Sequence, residues 1–225
     1  MRLRGHLDAD PLNLIRVIPA QGDLGISNRR IPVDHKEDAQ LNAFTDTRVL
    51  TEAALAVALS FVLGFIVLFK MPYGGSVSLE MIPIILLALR QGWKVGVVAG
   101  AVYGLLDLAI DPYVVHPVQF ILDYPLAFGA LGLAGLFKPT VQGAVLGTTV
   151  AVLVRFACHF LSGVVFFASV APEGWNLYLY SAAYNAAYLA PSLGIALVVM
   201  VVLLKALESA QPSPRQLHYR GSKTS

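Results

Sequence analysis

The chain has 225 residues, 56% of them hydrophobic and 13% charged, with a formal net charge of +2 and a mean hydropathy of +0.67. A soluble domain carries about 25% charged residues, so this composition excludes an ordinary soluble globule and indicates several membrane-spanning helices. No basic cluster exists to bind nucleic acid, and the lone cysteine, Cys158, excludes an internal disulfide and a cysteine-based metal site.

The charges are unevenly placed: thirteen lie in residues 1–47, five in 205–225 and twelve across 48–204. Residues 1–47 read as a polar tail without an apolar period, expected to be disordered and lacking the pattern of a signal peptide. Residues 48–205 form the predicted membrane domain, and residues 206–225 a second polar tail.

The first predicted span runs from Arg48 to Phe69. Its Ala54 and Ala58 form a small-xxx-small pair that lets another helix approach closely, either within the bundle or from a partner. The Gly-rich loop MPYGGSVSLEM follows, then a short apolar helix from Leu79 to Leu89, too short to cross unaided. A basic turn, Arg90-Gln91-Gly92-Trp93-Lys94, leads to a third span over Val95–Ile110, with Asp107 and Asp111 at its far end.

The fourth span, Val114–Phe137, has Pro117 in its first turn, where a missing N–H is harmless. It carries Asp123 and Tyr124 inside. The fifth, from Val141 to about Ala168, holds Arg155 and His159, and the sixth runs from Asn176 to Leu204 and stops at Lys205. The expected fold is therefore an all-α integral membrane protein, a bundle of six transmembrane helices. Arg48, Arg90, Lys94, Lys138 and Lys205 then share one side, which the positive-inside rule makes cytoplasmic along with both termini; Lys70 is the exception.

Polar groups inside hydrocarbon must pair or face a cavity. Asp123, His159 and Asn185 each lie nine residues from the outer end of their predicted spans, a common depth of about 13 Å. Arg155, His159, Gly163 and Phe166 recur on one helical face. Arg155 sits one turn deeper and reads as structural, with Glu80 or Asp123 as partner. Cys158 points away from His159 and reads as a core thiol. Tyr178 and Tyr180 fit an interfacial belt, whereas Tyr184 and Tyr188 lie deeper. A carboxylate among aromatic faces suits a flat organic cation. The chain has no P-loop, no H-E-x-x-H, no G-x-S-x-G and no evident inverted repeat, so it offers no ATPase, metalloprotease or hydrolase signature.

Several blocks in order, TRVLTEAALAVALSF, GGSVSLEMIPIILLALRQGWKVGVVAG, ILDYPLAFGALGLAGLF and RFACHFLSGVVFF with Tyr180 to Asn185, resemble the thiamine-specific substrate-binding (S) component of energy-coupling factor (ECF) transporters. The resemblance covers Thr47–Lys205. It implies a non-enzymatic, high-affinity thiamine-binding component in a prokaryotic plasma membrane, holding substrate near the outer face without a cofactor. It implies as partners a transmembrane coupling protein, contacted through Ala54 and Ala58, and two cytoplasmic ATPases. It implies a thiamine site of Asp123, Tyr124, His159, Gly163, Phe167, Tyr180 and Asn185. Three departures stand out: Asp123 replaces the usual Glu, Phe167 replaces a Trp of some members, and the first-loop Trp is absent, with Tyr73 and Gly74 nearby. Two alternatives stay open: an S component for another vitamin or a thiamine precursor, and a membrane enzyme using His159 and Asp123 as an acid–base pair.

Overall fold

The structure, a computed structural model, describes residues 44–110 and 112–210. The two predicted polar tails lie outside the described residues except for 44–47 and 206–210, and Asp111 lies outside as well.

Helix α1 spans Thr47–Gly64 and begins where Asp46 caps it, the carboxylate accepting from the Arg48 N–H at 2.8 Å. It ends at Gly64, short of the predicted Phe69. Val67–Lys70 (β1) instead pairs antiparallel with Ser76–Ser78 (β2), with Phe69 opposite Val77. The expectation of an all-α chain is corrected by this hairpin. The segment FIVLFK is aromatic and β-branched, which favours extended backbone, and Gly74 and Gly75 at φ 95° and 84° turn the chain back.

Helix α2, Met81–Gln91, has 11 residues and a length of about 16 Å, well short of a bilayer core of about 30 Å. Gly92 (φ 92°) makes the sharp turn into α3, Trp93–Ile110. At the same end, Glu52 of α1 accepts from the Gln91 amide at 2.7 Å and sits 3.7 Å from the Arg90 guanidinium. Gly96, Gly100 and Gly104 form a stripe on α3 against the next helix. A Cβ on Gly104 would lie 2.5 Å from the Tyr124 carbonyl, so the two backbones meet where side chains would separate them.

Helix α4, Pro117–Leu136, starts three residues later than predicted and is not uniform. It contains a π-helical turn over Leu122–Leu126 and 3₁₀ turns over Ala130–Leu136. Pro125 sits in the π turn and has no N–H to give to the preceding turn, so the helix widens there. Helix α5 runs Val141–Phe166 and breaks at Phe167, slightly before the predicted end. Helix α6 runs Leu177–Ala210, beyond the predicted stop at Lys205.

Four of these helices, α1, α4, α5 and α6, are long and apolar enough to cross a membrane. Leu153, Val165, Val198 and Val202 are each more than half exposed, a surface suited to lipid rather than water. The interior is filled by Ile84, Ile85, Tyr103, Phe128, Leu131 and Met200. Cys158 is buried as a core thiol.

Candidate ligand-binding site

The end of α1, the hairpin, the start of α2 and the helices α3 to α6 line a cavity of about 640 Å³. That size falls in the usual range for small-molecule sites. Its floor is a buried ion pair. The Arg155 guanidinium (6% exposed) lies 3.3 Å from Glu80 (9% exposed), and its Cζ sits over the Phe128 ring, 3.9 Å from the centroid. Glu80 also accepts from the Tyr103 hydroxyl at 3.1 Å. Of the two partners expected for Arg155, the structure selects Glu80. The guanidinium Nη1 is buried without a hydrogen-bond partner among the described residues, and the Phe128 ring face offers it an electrostatic substitute.

Asp123 comes from the π turn of α4. Its Oδ1 lies 2.9 Å from His159 Nδ1, and its Oδ2 accepts from Ser162 Oγ at 2.6 Å and from Gln119 Nε2 at 2.8 Å. His159 Nε2 accepts from Arg155 Nε at 3.4 Å, which makes Nδ1 the donor to Asp123. Among the described residues no ammonium or guanidinium forms an ion pair with Asp123. The carboxylate is held instead by side-chain hydrogen bonds from Gln119, Ser162 and His159. Among the described lining residues, the acidic Glu80, Asp107 and Asp123 outnumber the basic Lys70 and Arg155 by one formal charge. Such a cavity favours a monocation.

The walls are aromatic. Tyr113 stacks on Phe167 with centroids 5.7 Å apart and planes 18° off parallel, while Tyr180, Tyr184 and Tyr188 follow one another at 6.0 and 6.5 Å. Tyr184 also closes the mouth: its hydroxyl accepts from the Tyr73 N–H and donates to the Gly74 carbonyl, both at 2.9 Å. The hairpin turn thus hangs from α6. Gly75 completes the contact, since a Cβ there would stand 2.7 Å from the Tyr188 ring.

The predicted residues Asp123, Tyr124, His159, Gly163, Phe167, Tyr180 and Asn185 all line this cavity. The common depth inferred for three of them corresponds to real proximity. His159 meets Asp123 side chain to side chain, and Asn185 donates to the His159 carbonyl at 3.3 Å. The roles differ, however. Tyr124 accepts from the Tyr113 N–H at 3.0 Å and orders the neighbouring loop. Asn185 also donates to the Ser181 carbonyl at 2.9 Å and accepts from the Tyr188 hydroxyl at 2.9 Å within α6, so its bond to the His159 carbonyl ties α6 to α5. Gly163 lets α5 close onto Ser181, whose hydroxyl would meet any Cβ at that position. Phe166, placed by ideal helix spacing on the face of His159, turns instead to stack on His116 at 4.9 Å. Tyr178 is exposed on the outer surface and takes no part.

Gln119 and Ser162 are not among the predicted residues, although simple spacing marks both. Gln119 precedes Asp123 by four residues and Ser162 follows His159 by three, each a same-face interval on a helix.

Helices long and apolar enough to cross a membrane, packed around an aromatic-walled cavity of small-molecule size, have the architecture of a membrane-embedded small-molecule carrier. The family model for the thiamine transporter protein (Thia_YuaJ) matches residues 50–211, and the chain belongs to that family. It is thereby a transport protein rather than an enzyme. The thiamine transporter ThiT of Bacillus subtilis strain 168 is 39% identical over 162 residues, covering 66% of this chain and 82% of that one. ThiT of Lacticaseibacillus paracasei is 33% identical over 168 residues, covering 65% and 78%. The solved ThiT structure from Listeria monocytogenes superposes with a TM-score of 0.65 at 29% identity, covering 70% of this chain and 93% of that one. The S component of a bacterial ECF transporter shares the fold, with a TM-score of 0.51 at 18% identity over 72% of this chain and 96% of that one.

Proposed function

We propose that this chain binds thiamine in the cavity described above and acts as the S component of an ATP-driven ECF-type importer. The observation that carries the reading is Asp123, a carboxylate held by Gln119, Ser162 and His159 inside aromatic walls, with no lysine or arginine ion-paired to it among the described residues. Thiamine brings a permanent thiazolium cation to that charge. Its aminopyrimidine supplies donors and acceptors for His159, Tyr180 and Asn185, and a ring for Phe167 to stack on, with Tyr124 and Gly163 shaping the same wall. Binding is without covalent change and faces outward, beneath the hairpin.

The remaining parts of the proposal follow the charges and the first helix. The chain crosses the plasma membrane of a prokaryotic cell six times, α3 being one further pass and α2, too short to cross unaided, completing another together with the hairpin that precedes it. The positive side, Arg48, Arg90, Lys94, Lys138 and Lys205, is cytoplasmic together with both termini. Residues 1–47 and 206–225 act as polar flanks to a single membrane domain. Energy comes from a transmembrane coupling protein and two cytoplasmic ATPases. Ala54 and Ala58 are exposed on α1 and line an apolar groove of about 500 Å³ shared with Val98 and Val102 of α3. Small residues over such a groove admit a partner helix.

One experiment tests both halves. Purified wild-type chain binds thiamine saturably in a calorimeter, and Ala54→Trp binds it equally well while abolishing uptake in cells that hold the partner proteins. Absence of saturable thiamine binding by the wild type overturns the substrate. Loss of binding in Ala54→Trp assigns Ala54 to internal packing instead of a partner contact.

A further inference from the structure

We propose that Gln119 is a positioning residue for ligand recognition, holding the Asp123 carboxylate so that a single oxygen, Oδ1, is presented to the cation. The inference rests on the thiamine reading above and adds to it the residue that orients the charge.

Gln119 is 1% exposed, and each polar atom of its amide is used. Nε2 donates to Asp123 Oδ2 at 2.8 Å and to the Tyr113 carbonyl at 3.0 Å, while Oε1 accepts from the Val115 N–H at 3.0 Å. The two loop bonds lock the amide, so it cannot flip or rotate without breaking all three. A locked donor fixes its acceptor. Ser162 Oγ reaches the same carboxylate oxygen from α5 at 2.6 Å.

A carboxylate offers about four acceptor positions. Gln119 and Ser162 occupy both on Oδ2, and His159 takes one on Oδ1. The position that remains is on Oδ1, and Asp123 keeps 16% of its side chain exposed to the cavity. The carboxylate is thus pinned on its protein side and open by one position on its ligand side. Both Oδ2 donors are neutral, so orientation is gained without cancelling the charge that attracts a cation. An arginine or lysine in place of Gln119 would also orient the group but would neutralise it.

This arrangement also accounts for a short acid at this position. Asp has one fewer rotatable bond than Glu, and the buried amide reaches it across one helical turn. The same amide orders Tyr113, whose ring stacks on Phe167 and forms the wall beside the carboxylate. One residue therefore registers the charge and the aromatic face against each other.

The test is a mutant cycle on the full chain in detergent, with thiamine as ligand and calorimetry as readout. Gln119→Met keeps the volume and removes all three bonds. It is expected to weaken thiamine about tenfold to hundredfold in the wild-type background. In an Asp123→Ala background, where no carboxylate remains to be oriented, Gln119→Met is expected to change the thiamine Kd less than about threefold. A neutral thiophene isostere of thiamine should be weakened less than thiamine itself. A role confined to holding the loop gives the same loss in both backgrounds and for both ligands, and that outcome overturns the proposal. Should Gln119→Met fail to fold, Ser162→Ala removes the other Oδ2 donor and should show the same dependence on Asp123; equal loss in both backgrounds again refutes the idea. A wild-type chain that fails to bind thiamine defeats the substrate reading and this inference together, whereas normal wild-type binding with an additive cycle defeats the inference alone.

Discussion

Asp123→Asn lowers the affinity for thiamine by about a hundredfold or more while leaving the ligand-free protein folded. The expectation rests on where the charge sits. At about 4 Å a pair of unit charges interacts by about 4 kcal/mol at the effective dielectric of a partly buried site, and each 1.4 kcal/mol is tenfold in Kd, about three orders of magnitude if nothing offset it. Rehydration of the freed cation offsets part of this. The fold tolerates the change because Asn keeps the shape of Asp and an oxygen that accepts from His159 or Gln119. It also removes a charge whose partial burial costs stability without an ionic partner to repay it. Calorimetric Kd values together with ligand-free thermal melts separate the two effects. An unchanged Kd removes Asp123 from the cation site.

Arg155→Ala has the opposite profile, a large loss of stability. Arg155 and Glu80 are both nearly buried and 3.3 Å apart, and the guanidinium also covers Phe128. Deleting the cation leaves Glu80 buried with a single hydroxyl donor, Tyr103, and opens a gap over the ring. Removing one member of a buried pair costs about 3–5 kcal/mol. Converting Glu80 to Gln in the same chain should restore part of that, since no uncompensated charge then remains. Thermal melts in detergent check both variants. A loss below about 1 kcal/mol for Arg155→Ala would show that Glu80 finds another partner.

These two residues illustrate what the sequence conveys about the site. A charged or amide side chain in an apolar run is conspicuous, and depth along each predicted span is enough to bring Asp123, His159 and Asn185 to one level. Arg155 separates by the same count, one turn deeper, with Glu80 among its candidate partners. Local backbone geometry is less visible. Nothing in the hydropathy of residues 65–70 separates the end of a helix from a strand, because FIVLFK is apolar in either state and only the two glycines beyond it announce a turn. The π turn at Leu122–Leu126 is hidden for a related reason: Pro125 signals a missing hydrogen bond but not whether the helix kinks, stops or widens. Phe166 and Phe167 show the same limit. Ideal spacing favours Phe166, yet the helix ends there and the next residue swings into the cavity. The Gly96, Gly100 and Gly104 stripe is a four-residue repeat in the sequence, and it sets how closely α3 approaches the stretch of backbone that carries Asp123.

Neutral residues are the hardest to recognise. Gln119 and Ser162 have no charge to make them stand out in an apolar helix, and their importance comes from the carboxylate they share across α4 and α5. For Ser162 that convergence depends on the packing of α5 against α4, which spacing within one helix cannot supply. The alternative of a His–Asp enzyme pair falls on a different ground: the chain belongs to a family of transport proteins rather than enzymes.

The most direct measurement is a structure of the full chain determined with thiamine bound. The thiazolium ring should lie in the cavity beneath the Tyr73–Gly75 turn, facing Asp123, with its partner ring against Phe167 and Asp123 Oδ2 still held by Gln119 and Ser162. Thiamine found outside this cavity, or in it with the thiazolium remote from Asp123, would contradict the account.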